Sequence, residues 1–159
     1  MTTLTASKSE RANLTGTVRR AYKTTFEIRG KSGSQVEING YASAYERGYE
    51  MWDMFGSYTE VVREAAGKKT LSENPEVQLL LNHGGLSMAY TKAGRLRLSE
   101  DSTGLNIGAN VNISRTDVRD MVTAMEDGDV DEMSFAFRVV RQQWSPDYDQ
   151  RDILEYDIH

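Results

Sequence analysis

The stretch EMSFAFRVV, residues 132–140, alternates as a half-buried strand does. Met133, Phe135 and Phe137 fall on one face, and Ser134, Ala136 and Arg138 on the other. A helical period would scatter the three large apolar side chains around its circumference. Ser134 therefore stands opposite the apolar face. The strand pattern runs on to Trp144, SPDYDQ at 145–150 supplies turn chemistry, and RDILEYDIH at 151–159 reads as a further strand. In that last strand Glu155, Asp157 and His159 share the face opposite Leu154, Tyr156 and Ile158.

Toward the N-terminus, VQLLLNH, LSMAYT, RLRLSE and GLNIGANVNI are strand-like runs parted by turn signals. VQLLLNH, residues 77–83, is apolar on both faces, which predicts a central strand, and His83 sits where it breaks into Gly84 and Gly85. One segment changes period. In RTDVRDMVTAMEDGD, residues 115–129, Val118, Met121, Val122 and Met125 follow helix spacing, and SRTD predicts a capped start with Gly128 as the stop. Its methionine stripe is core packing. Further upstream, TVRRAYKTTFEIRG and SQVEINGYAS flank the turn GKSGS as a hairpin. Residues 45–74 have no clean period; a hairpin or loop with Trp52, Met54 and Phe55 covering the core is expected, followed by a short helix around Val61 to Ala66. The polar residues 1–14 read as a flexible tail, leaving 15–159 as one domain, mainly β with few helices (α+β).

Composition removes several functions. The 24 acidic against 19 basic side chains give a net charge of −5, which argues against a nucleic-acid partner. No run is long enough for a membrane span or a signal peptide, so no membrane partner is expected. With no cysteine and two histidines, a zinc site is not expected, and no cofactor motif appears. GKKT lacks a P-loop because Val62 stands where its first glycine belongs. MEDGDVDEM is not a calcium loop, since Glu132 and Arg138 occupy the required Gly and Glu positions. There is also no GxSxG around Ser134. What remains is a histidine at a strand end and a serine on a strand. From residue types alone, a hydrogen-bonded structural histidine and a packed serine are the commoner description, and a catalytic pair the rarer one.

The ordered blocks LLLNH, GRLRLSED, GL and MSFAF, with a helix before the last, resemble the prohead serine proteases of tailed bacteriophages. The likeness runs from INGYAS at residue 38 to the chain end. It implies a closed antiparallel β-barrel of the herpesvirus-protease type with helices packed around it. It also implies Ser134 as nucleophile and His83 as general base of an endopeptidase that matures the phage capsid. That pairing has a physical reason: a serine hydroxyl attacks a peptide carbonyl at neutral pH only when an adjacent imidazole takes its proton.

The implied substrates are the major capsid protein and scaffolding segment, with self-cleavage, inside the assembling prohead in the host cytoplasm. A homo-oligomer is left open. Two departures bear on the site. Gly84 follows His83 where the family carries an aspartate, and the chain ends at LEYDIH, so the family's final strand is expected to be lacking. Asp157 is the candidate orienting acid, ahead of His159, Glu100 and Asp101. The competing class is a catalytically impaired, protease-like scaffolding module, because an unpaired edge invites another chain.

Overall fold

Alternating burial governs most of the chain. The computed structural model describes residues 7–14 and 16–159, of which strands β1 (Thr17–Lys23), β2 (Glu27–Ser32), β3 (Gln35–Ala44), β4 (Tyr49–Asp53) and β5 (Gly56–Val62) come first. Helix α1 (Lys68–Ser72) follows, then β6 (Gln78–Leu81), β7 (Gly84–Tyr90), β8 (Leu96–Glu100) and β9 (Gly104–Asn112). Helix α2 (Thr116–Glu126), β10 (Glu132–Trp144) and β11 (Gln150–Ile158) complete the order. The fold is mainly β with few helices, as expected. The strands pair as β1-β10-β11-β5-β4, as β2-β3-β9-β8, and as a separate β6-β7 ribbon. The barrel expected from the family resemblance does not close: one sheet is a half-barrel, and among the described residues no ladder joins the edges of one sheet to the other.

Between the sheets lies the core. The four-stranded sheet contributes Val36, Ile38, Leu105, Ile107 and Val111, and the five-stranded sheet Phe135, Phe137, Ile153 and Tyr156. Phe135 and Phe137 stack with centroids 4.2 Å apart, and Tyr156 meets Phe135 edge-on at 5.2 Å. The alternation of 132–140 is thus realised in β10. Helix α2 buries Val118, Met121 and Val122, and Met125 packs alongside. Its stop is as read, with Gly128 at φ 79°. Its start is not: Arg115 is the capping position and makes no side-chain cap bond, while Ser114 is held by Asn112 Oδ1.

Four other readings are corrected. The hairpin about GKSGS forms as β2–β3, but TVRRAYKTTFEIRG is two strands in different sheets, with β1 on β10 and β2 on β3. At the corner, Tyr41 N donates to Thr24 Oγ1, and Gly40 leaves room for the Phe26 ring, which a Cβ there would meet at 3.3 Å. The segment VQLLLNH is not central. Among the described residues its β6 pairs only with β7, and Leu81 is 52% exposed, because the ribbon's tip leaves the core and carries its apolar residues outward. The unreadable stretch does form a hairpin, β4–β5, but parity turns Tyr49 and Met51 inward and Trp52 outward, and Met54 stands in the turn, leaving Trp52 and Met54 69% and 82% exposed. No helix spans 61–66, since Val61 and Val62 extend β5 and Ala65 adopts φ 63°; the helix begins at Lys68.

Of the tail expected at 1–14, residues 1–6 lie outside the described residues. From there, Lys8–Asn13 forms a 3-10 turn whose Arg11 is buried. Arg11 donates to both Asp53 carboxylate oxygens and to the carbonyls of Tyr148 and Gly56, and stacks 4.9 Å over Tyr58. Apolar pattern could not reveal this anchor, which is one guanidinium.

Candidate active site

His83 owes its position to a tight turn. Leu81 pairs with Gly84, so Asn82 and His83 form a two-residue loop, with φ of 51° and 55°. Positive φ at both central residues is the signature of the turns that match the twist of a hairpin. Asparagine and histidine are among the non-glycine residues that tolerate this region best. The strand ends on a histidine where the backbone needs a left-handed residue, and the same turn lifts the imidazole off the ribbon.

Ser134 comes from the opposite direction in the sequence. It lies near the start of β10, on the face away from Phe135 and Phe137, directly across from Ala21 of β1. His83 Nε2 and Ser134 Oγ meet in hydrogen-bonding contact. The two line a cavity of about 670 Å³, together with Leu79, Met121 and Phe135. Arg19, Glu132 and His159 line it too.

Burial of the imidazole, with the nearby Arg19 guanidinium second, holds the His83 pKa below its ordinary value. Both effects oppose the cationic form, so at neutral pH the ring is neutral and able to accept a proton. A neutral imidazole against a serine hydroxyl is chemically competent for proton removal. Proton position on the ring follows from the contact: Nε2 must be the unprotonated nitrogen to accept from Oγ.

The remaining candidates are elsewhere. Asp157 accepts from Thr70 Oγ1 at 3.0 Å and from the Arg138 guanidinium at 3.2 Å, and no hydrogen bond or ion pair joins it to His83. Among the described residues, His83 Nδ1 has no hydrogen-bond partner. His159 is close to the pair in the same cavity, but its Nε2 contacts Thr17 Oγ1 at 3.0 Å. Glu100 accepts from Tyr45 OH and Gly67 N, and Asp101 from Tyr41 OH and the Thr103 and Gly104 amides. Thr17 and Arg19 were not singled out in the sequence. Their signal is weak there, because Arg19 and Arg20 are consecutive and only the β1–β10 register decides which faces Ser134.

The family model Peptidase_S78, caudovirus prohead serine protease, matches residues 24–159. The chain belongs to the caudovirus prohead serine protease family. Membership implies a serine peptidase of capsid maturation, acting in the phage prohead in the host cytoplasm, with capsid proteins as the suggested substrates. Both His83 and Ser134 lie within the matched segment of this prohead protease, whereas Thr17 and Arg19 precede it. No curated protein and no solved structure gives a significant match. Among the described residues, no helix is long and apolar enough to cross a membrane.

Proposed function

We propose that this family member is an endopeptidase in which Ser134 is the nucleophile and His83 the general base, cleaving the scaffolding segment, the capsid protein and itself inside the prohead. One observation carries the reading: the contact between His83 Nε2 and Ser134 Oγ, made by two segments from different sheets. Ser134 Oγ adds to the scissile carbonyl as its proton passes to Nε2. Collapse of the tetrahedral adduct breaks the C–N bond, and Nε2 returns the proton to the leaving amine. Water then repeats the sequence on the acyl-serine ester.

The test is co-expression with the cognate scaffold-bearing capsid protein, followed by mass spectrometry of the processed capsid chain. Ser134→Ala and His83→Ala should each abolish maturation, since loss of either partner costs on the order of a millionfold in rate. Undiminished cleavage by Ser134→Ala overturns the assignment. A second reading, the impaired scaffolding module, draws support from Asp157, whose carboxylate is engaged by Thr70 and Arg138 and leaves the imidazole without an orienting acid. Under that reading, prohead assembly persists in Ser134→Ala and the wild type leaves the capsid protein uncut.

A further inference from the structure

The site has an unusual charge. A histidine base ordinarily gains from a carboxylate that stabilises its imidazolium. Here the neighbour is a cation: Arg19 bears on His83, and both line the same cavity. A positive charge beside the base raises the cost of the imidazolium. It is useful only if a negative charge develops close by in the same step.

Geometry supplies a place for that charge. In the antiparallel β1–β10 pair, Ala21 lies opposite Ser134 and Arg19 opposite Ala136, so Arg19 is the diagonal neighbour of Ser134 on the shared face. Diagonal Cβ atoms are about 7–8 Å apart, within reach of a long side chain. The residues directly across from Ser134 and Arg19 are the alanines Ala21 and Ala136, so no long side chain flanks the pair within this quartet. Arg20, pointing to the other face, is locked to the buried Glu60 at 2.6 Å, and Arg138 is paired with Asp157. Arg19 has no ion pair or side-chain hydrogen bond among the described residues.

We infer that Arg19 is a catalytic residue of this site, donating guanidinium N–H bonds to the oxyanion formed when Ser134 attacks the substrate. The inference rests on the Ser134 and His83 assignment above. As the Oγ–C bond forms, the carbonyl π pair moves to oxygen and the hydroxyl proton to Nε2, so one anion and one cation appear together. Arg19 disfavours the second and favours the first. Arg19 precedes the segment that the family model matches, so β1 brings this group from outside the matched region.

The experiment compares wild type, Ser134→Ala, Arg19→Ala and Arg19→Lys on peptides spanning the mapped capsid cleavage site, with and without an acidic side chain beside the scissile bond. Arg19 is exposed, so thermal melts of its variants should match the wild type. Arg19→Ala is expected to lower kcat by about 10²–10³-fold with KM little changed, the size of effect known for one oxyanion donor. Arg19→Lys should recover part of the loss. Affinity for a peptide boronate, whose tetrahedral anion on Ser134 mimics the adduct, should fall in parallel. The acid limb of kcat/KM should move to higher pH in Arg19→Ala, because the imidazole then holds its proton more firmly; the other titratable groups lining the cavity are Glu132 and His159. If Ser134→Ala still cleaves, the catalytic pair falls and Arg19 with it. If Ser134→Ala is dead but Arg19→Ala stays within about threefold of wild type, the pair stands and the Arg19 role is overturned. A loss confined to peptides with the acidic side chain also overturns it, since Arg19 would then read side chains.

Discussion

Asp157→Asn separates the fold's own use of a carboxylate from a catalytic one. In a serine–histidine–aspartate site, that substitution fixes the wrong imidazole tautomer and lowers kcat by about 10⁴-fold. In this chain the carboxylate is held by Thr70 and Arg138, so its removal should act on packing instead. The Arg138 pair is solvent-exposed, at 60% and 39% side-chain exposure, and such a pair contributes at most about 1 kcal/mol. The Thr70 hydrogen bond survives, because an asparagine carbonyl oxygen still accepts from Oγ1. Stability should therefore fall by less than about 1 kcal/mol, and kcat should stay within a few-fold of wild type. Asp157→Ala goes further. It strips the acceptor from Thr70, whose hydroxyl is buried and also receives Ile158 N, and should cost about 1–3 kcal/mol. Urea denaturation gives the stability terms and steady-state cleavage of the capsid substrate gives the rates. A drop in kcat approaching 10⁴-fold in a variant that melts like wild type would refute the reasoning, because the carboxylate would then reach the imidazole in the working enzyme.

Other outcomes follow from the same contacts. The His83 imidazole, its pKa held down by burial and by Arg19, should titrate below the ordinary value; stability aside, activity then persists as pH falls below about 6.5 and is lost once the ring protonates. Histidine NMR shifts in Ser134→Ala check this, and a midpoint at or above the ordinary value refutes it. Phe137→Ala, at a fully buried position stacked on Phe135, should cost about 3–5 kcal/mol in urea melts. Arg11→Ala leaves the half-buried Asp53 without its two-pronged partner and should cost about 1.5–3 kcal/mol, whereas a dispensable tail would show no change.

What could be read from residue order was whatever is set by near neighbours. The alternation of Met133, Phe135 and Phe137 fixed β10 and turned Ser134 away from the core. The spacing of Val118, Met121 and Val122 fixed α2, and Gly128 its end. Failures arose where two conformations satisfy the same local pattern. VQLLLNH has the composition of a central strand, yet its partners are chosen by the whole sheet arrangement, and it became one side of a two-stranded ribbon. Trp52 and Met54 are apolar, yet the parity of β4 turned Trp52 outward and Met54 fell in the β4–β5 turn, both in solvent.

Sequence by itself determined that this chain is a mainly β protein with a histidine at a strand end and a serine on the polar face of another strand, because backbone periodicity is a property of adjacent residues. Tertiary structure alone decided that the imidazole and hydroxyl meet, that Arg19 and not Arg20 accompanies them, and that Asp157 is held by Thr70 and Arg138. Those facts depend on pairings between segments 19 to 87 residues apart and, for Arg19, on the register of β1 against β10, where a slip of one residue exchanges every side chain between faces.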